Sequence, residues 1–192
     1  MHPTILVILA SIREGRFGDK PAHWIYEIAQ KRTDMSVDFV DLREYQLPLF
    51  QEAISPKYVQ GAYGKKDVDR WAEKISAADG FVVVTPEYNH GYPSALKNNI
   101  DYLYKEWGKK PVAYVGYGLS GGASAISQLR TVATELEMVP MRTEIYIRDP
   151  WNLTTKDNAL IDGALDHYVA VAQRQLDELA WWAHTLLAAR TH

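Results

Sequence analysis

Thr4–Ala10 reads TILVILA, Gly80–Thr85 reads GFVVVT and Val112–Tyr117 reads VAYVGY. Each run has strand length and lacks the apolar–polar alternation of a sheet with one wet face. Such runs belong to strands buried on both sides, which in practice means a parallel sheet covered by helices. The intervening segments carry the matching helical spacing. Trp24, Ile25, Ile28 and Ala29 follow the first run, and Val68, Trp71, Ala72 and Ile75 precede the second. Leu96, Ile100, Leu103 and Trp107 lie between the second and third, and Ile126, Leu129, Val132, Ala133 and Leu136 beyond it. Ser36–Leu42 and Val139–Ile147 supply two more strands, and an amphipathic helix is expected from about Asp157 to Ala189.

Strands alternating with helices imply right-handed crossovers and a three-layer, doubly wound α/β domain. A chain of 192 residues fits one such domain over 1–192. The flavodoxin-like order 2-1-3-4-5 for a five-stranded parallel sheet makes the fifth strand an edge. An edge is where Pro140, which lacks a ladder donor, is tolerated. Residues 43–64 show no period and contain Pro48, Pro56, Gly61 and Gly64, so a long functional or mobile loop is expected.

Composition narrows the function classes. A net charge of -3 gives no basic footprint for nucleic acid. No apolar window is long enough for a membrane span, and MHPTILVILASIREGR lacks the basic start of a signal peptide. Cysteine is absent, which removes disulfides, thiolate catalysis and cysteine-ligated metals, and fits a reducing cytoplasm. The six histidines form no HxH or HExxH pair, so no metal is expected.

In the expected topology the loops after strands one, three and four share the carboxyl rim, where such sheets bind ligands. They are Ala10–Asp19, Thr85–Tyr92 and Tyr117–Gly122. The first carries Ser11, Arg13, Gly15, Arg16 and Gly18 before a helix, which suits a phosphate and equally describes a solvated loop. It has neither GxGxxG nor GxxxxGK[ST] spacing. The second holds Pro86, Glu87, Tyr88, Asn89, His90 and Gly91, with Glu87, His90 and the later Asp101 as acid–base candidates. The third, Gly118-Leu119-Ser120-Gly121-Gly122, matches the GxSxG elbow of serine hydrolases, with His167 and His184 following. Against that reading, only one strand follows the elbow, and both histidines fall on a helix expected away from the rim. Alternatively the glycines let backbone approach a flat ligand.

Several of these stretches together resemble one family. TPEYNHGYPSALKNNIDYL is similar to the signature PEYN-x-x-x-P-x-x-LKNAIDW of the NADPH-dependent FMN reductases, small flavodoxin-like flavoproteins that include quinone, azo-dye and chromate reductases. Pro86, Glu87, Tyr88, Asn89, Pro93, Leu96, Lys97, Asn98, Ile100 and Asp101 match; Asn99 and Tyr102 depart mildly. ASIREGRFG is similar to the family's GSxRxGSxN loop, DLREYQLPLF to its LPLF segment, and YGLSGGASAISQLRTVATELEM to its glycine turn and helix. Ala10 stands for Gly, Arg16 for Ser and Gly18 for Asn, so two hydrogen-bonding side chains are lost and one cation is gained.

The resemblance implies that Ser11, Arg13, Arg16, Phe17 and Gly18 cradle the phosphate of FMN. It implies that Pro86, Glu87, Tyr88, Asn89, His90 and Gly91 hold the isoalloxazine edge, largely through backbone. Gly118, Ser120, Gly121 and Gly122 would approach the ring or ribityl chain. NADPH or NADH would pass hydride to the flavin, and electrons would then go by ping-pong to a quinone, flavin, azo or nitro compound or metal oxyanion. No side chain need act as acid or base, and a homodimer or homotetramer is implied. Two other readings stay open: a non-enzymatic flavodoxin-like electron carrier, and a serine hydrolase using Ser120.

Overall fold

β1 (Thr4–Leu9), β3 (Gly80–Pro86) and β4 (Pro111–Gly118) are buried along nearly their whole length, as their unalternated sequences require. The computed structural model describes residues 2–191. β2 (Ser36–Asp41) lies beside β1, and β5 (Val139–Pro140) and β6 (Ile145–Arg148) lie beside β4. All pairings are parallel and the order is the expected 2-1-3-4-5, with Pro140 on the edge.

Helices α2 (Lys66–Ser76), α3 (Ser94–Asp101) and α4 (Ala123–Glu135) cover one face, and α1 (Asp19–Gln30) and α5 (Val169–Arg190) the other. The first layer centres on Trp71, Phe81, Leu96, Trp107 and Leu129, and the second on Ile5, Val7, Ile25, Val82 and Leu176. Full burial of each such side chain is worth roughly 1.5–3 kcal/mol. Trp71 also donates its indole N–H to the Asn99 carbonyl at 2.8 Å, so its polar atom is not stranded in the core. Among the described residues no helix is long and apolar enough to cross a membrane.

Three expectations need correction. The strand expected over Val139–Ile147 is two short strands, with Met141–Glu144 leaving the ladder between them. Side chains of α5 replace the missing rungs. Gln175 Nε2 donates to the carbonyls of Tyr114 (2.9 Å) and Thr143 (2.8 Å), while Glu178 accepts from the N–H groups of Arg142 (2.9 Å) and Thr143 (3.0 Å). Second, the last helix begins at Val169, not near Asp157. Gly163 at φ +71° and a Thr154–Leu160 bridge fold the preceding residues into turns, and Ile161 points out to solvent. Third, α3 stops at Asp101, so Leu103 and Trp107 reach the core from the turns that follow it.

The long segment after β2 is anchored at its first half. Asn98 donates to the Leu47 and Pro48 carbonyls and accepts from the Phe50 N–H, and Asn99 donates to the Tyr45 carbonyl. Two residues of the LKNN motif thus fix a loop.

Arg16 anchors the loop after β1. Its guanidinium is buried, bonded to Asp19 at the start of α1, to Asp41 at the end of β2, and to the Ser11 carbonyl. Burial opposes ionisation of Asp41, but bonds from Arg16 and the Arg43 N–H outweigh it and hold the carboxyl below the usual carboxylate range. A depressed carboxylate stabilises the fold above its unfolded pKa, and that stabilisation is lost as pH falls through the folded value.

Two outcomes follow for denaturation. Gln175→Leu strands two buried carbonyls and should cost about 2–4 kcal/mol in urea unfolding, with the slope against urea unchanged. Asp41→Asn should cost about 3 kcal/mol at pH 7. Its deficit relative to the parent protein should shrink as pH falls below about 4, and a deficit that stays constant with pH would contradict the ion-pair account.

Candidate functional site

Register brings the rim together. Leu9 pairs with Val84, Val84 with Val115, and Pro86 with Tyr117, so β3 and β4 run two or three residues past the end of β1 and the loops of all three emerge on the same rim. Contacts between loops are direct. Ser11 Oγ and the Tyr88 hydroxyl are hydrogen-bonded at 2.8 Å, and the Glu87 N–H donates to the Tyr117 carbonyl at 3.1 Å.

The second loop is a small hairpin. Tyr88 and Gly91 exchange both backbone bonds, at 2.8 and 2.9 Å. Asn89 and His90 between them have φ of +50° and +64°. Two successive left-handed residues are the type I′ arrangement, and Asn and His are among the side chains that tolerate it best. Gln128 Nε2 donates to the His90 carbonyl at 2.7 Å and holds the tip against α4. The His90 ring is largely exposed, 3.5 Å from a Glu87 oxygen and 3.4 Å from Ser124 Oγ.

Glu87 joins the second loop to the third. Its carboxylate accepts from Ser120 Oγ at 3.0 Å and from the Ser124 N–H, in the first turn of α4, at 2.9 Å. The N-terminus of α4 is therefore already occupied by an anion of the protein itself. The glycines beside it answer to close packing of the chain on itself. A Cβ on Gly121, at φ +72°, would lie 2.7 Å from Tyr146 Cβ, and one on Gly122, at φ +83°, 2.7 Å from the Gly116 Cα. Gly118 faces Glu87, and Leu119 stands exposed at the turn's tip.

In the first loop Ser11 is fully buried, and the exposed Arg13 lies over the Tyr88 ring, 5.5 Å from its centre. Arg16 lies beneath the loop, engaged by two carboxylates and a carbonyl. Phe17 packs on Tyr117 with ring centres 5.4 Å apart. Gly18 is pressed against the same tyrosine: a Cβ there would sit 2.5 Å from Tyr117 Oη and 2.9 Å from Leu9 Cδ1. The N-terminus of α1 that follows has no side-chain cap. A helix N-terminus left without a side-chain cap suits an anion, and the loop that leads into it carries the Ser11 hydroxyl. Beside it, Ile12, Leu47, Leu49 and Ala95 line a hollow of about 210 Å³ at the start of α3.

Nothing in the sequence marks the Tyr117 hydroxyl as reaching Gly18 on the rim, because its place in an apolar strand reads as core. The loss of a side chain at Gly18 leaves room for another group but does not say which. Among the described residues no histidine bonds Ser120 of the elbow motif. Ser120 donates to Glu87, while His184 bonds the Asp34 carbonyl (2.7 Å) beside the start of β2, and His167 packs against Tyr168 with the rings tilted by 41°. Asp101 pairs with Lys97 at 2.6 Å along α3.

Comparison with known proteins identifies the family. Residues 3–152 match the family model of the NADPH-dependent FMN reductases. The chain is 42% identical over 136 residues to an NAD(P)H-dependent FMN reductase of Schizosaccharomyces pombe, covering 71% of this chain and 68% of the relative. It is 32% identical over 186 residues to a 2-hydroxy-1,4-benzoquinone reductase of a Burkholderia species, covering 93% and 94%. The solved structure of FerB, a flavoenzyme NAD(P)H:(acceptor) oxidoreductase of Paracoccus denitrificans, superposes with a TM-score of 0.69 at 26% identity, covering 95% of this chain and 98% of that one. The electron-carrier and hydrolase readings are thereby set aside. The chain belongs to the NADPH-dependent FMN reductase family: it is a flavin-dependent oxidoreductase with FMN as cofactor and NAD(P)H as donor.

Proposed function

We propose that the three rim loops form one FMN site in which NAD(P)H and a small-molecule acceptor take turns at the same open face. The observation that carries this reading is the division of the two rim helix termini. The N-terminus of α4 is filled by Glu87, whereas that of α1 is uncapped and ringed by hydroxyls. The phosphate therefore belongs to Ser11–Gly18, with Ser11 as donor, Arg13 as the accessible cation and Phe17 and Gly18 shaping the floor. Arg16 acts there by holding the loop's shape. The ring lies along Pro86–Gly91, where the hairpin of Tyr88, Asn89, His90 and Gly91 presents backbone and Glu87 locks its base. Gly118, Ser120, Gly121 and Gly122 keep the third turn low enough for the ring and ribityl chain to pass over it.

Bound FMN supplies the chemistry, accepting hydride and releasing electrons to the acceptor; the protein supplies position and electrostatics. Backbone N–H groups of the rim favour negative charge on the side of the ring they face. Among acceptors we favour a quinone, as in the name of the Burkholderia relative; flavins, azo or nitro compounds and metal oxyanions fit the same open face. We assign residues 1–192 to one FMN-binding domain working as a homodimer or homotetramer in the cytoplasm, where NAD(P)H is supplied. Leu49, Ile54 and Tyr58, exposed on the long loop, are the apolar surface that association would cover.

Purified protein should be yellow and release FMN, not FAD, on denaturation. With NAD(P)H and a benzoquinone, double-reciprocal plots at several acceptor concentrations should be parallel; intersecting lines would refute alternation at one face. Ser120→Ala removes one hydrogen bond and should leave turnover within about fivefold of the parent. Glu87→Ala unties two loops from α4 and should weaken FMN binding by at least about tenfold, read by flavin fluorescence.

A further inference from the structure

Tyr117 carries a feature that the fold alone does not explain. Its residue is 6% exposed, and its hydroxyl makes no hydrogen bond of normal geometry among the described residues, Ser11 being its polar neighbour. A buried unpaired hydroxyl is costly, and most native ones find a partner. The side chain leaves β4 on the α1 side and packs on Phe17 and Leu9. Its oxygen ends directly under Gly18, at the point where a side chain on residue 18 would begin. Ser11 lies beside it, and Ser11 is bonded in turn to the Tyr88 hydroxyl. Hydroxyls from all three rim loops therefore meet at the uncapped start of α1.

The first loop also needs donors. Arg16, the cation its sequence gained, is buried between Asp41 and Asp19, so its charge is already balanced by the protein. The loop lacks the amide that the GSxRxGSxN pattern would place at residue 18, and the tyrosine oxygen fills that volume instead. Gly18 and Tyr117 thus form a matched pair, since any larger residue at 18 would collide with the phenol. Burial pushes the Tyr117 phenol up, well above its ordinary value, so it stays protonated and can donate throughout the working pH range.

We propose that the Tyr117 hydroxyl is a phosphate-binding donor of this chain, taking over from the side chain that Gly18 lacks. The inference rests on the FMN site proposed above. It assigns Tyr117 a preference for the phosphorylated cofactor over the same ring system without phosphate, and no role in the redox step.

The test is Tyr117→Phe, which removes one oxygen and keeps the ring. Dissociation constants for FMN and riboflavin are measured on the apoprotein by quenching of flavin fluorescence. The FMN constant should rise by about 10- to 100-fold, the range of a hydrogen bond to a charged group, while the riboflavin constant stays within about twofold. The ligand-free variant should melt at the same temperature as the parent or higher, because a stranded hydroxyl has gone. Inorganic phosphate should raise the melting temperature of the parent apoprotein and do so less for the variant. An unchanged FMN-to-riboflavin ratio would overturn the proposal, as would a ligand-free variant that melts well below the parent, which marks a purely structural hydroxyl. If the parent itself binds FMN no better than riboflavin, the phosphate assignment of the first loop falls and this inference with it. If the parent prefers FMN and the variant keeps that preference, only the role of Tyr117 falls.

Discussion

The parallel register of β1, β3 and β4 sets where everything else on the rim lies. Leu9, Val84 and Val115 stand side by side, and Asp41 ends β2 opposite Leu9. β1 and β2 therefore finish level, with β3 running two residues and β4 three residues further, and the loops that follow are brought into contact on one rim. The Ser11–Tyr88 bond, the Glu87–Ser120 bond and the Arg16–Asp41 pair are consequences of that register. None would form after a one-residue slip, which would also exchange the side chains that each central strand sends into the two helical layers.

Charge on the rim is sorted by layer. Below the surface, Arg16 is neutralised by two carboxylates, and Glu87 is spent on hydrogen bonds to the third turn and α4. Outside these pairings stand the hydroxyls of Ser11 and Tyr117, both buried, that of the half-buried Tyr88, and the exposed Arg13. That arrangement stiffens the loops with ion pairs and leaves one cation, Arg13, exposed on the rim. Stiffness in advance of binding is what lets small groups contribute affinity, since the ordering cost is not charged to the ligand.

How much of this was legible in the sequence depended on how far each cause reached. Strands β1, β3 and β4 were readable because burial on both faces writes itself into consecutive residues. The sheet order followed from the alternation of strands and helices, and Pro140 marked the edge. The break between β5 and β6 was not readable, because Gln175 and Glu178, which satisfy the interrupted ladder, lie some thirty residues downstream. The start of α5 was missed because Ile161 and Leu165 continue its helical spacing through turns that Gly163 enforces. On the rim, Ser11, Tyr88 and Glu87 were legible as loop residues, but not the bonds that join Ser11 to Tyr88 and Glu87 to Ser120. Arg16 read as a ligand-facing cation because Asp41, its principal partner, lies on another strand. Tyr117 escaped notice for the converse reason: its ring is core and only its oxygen belongs to the rim.

The central claim is that three loops, distant in sequence, act as one FMN-binding surface. Backbone hydrogen exchange with and without FMN tests it without reference to turnover. The account predicts slowed exchange in three separate stretches together, 11–19, 87–91 and 118–124, with one common dependence on FMN concentration and little change at the opposite, amino end of the sheet near Asp34 and Asp79. Protection confined to one of the three stretches, or centred on the long loop 51–64, would contradict it.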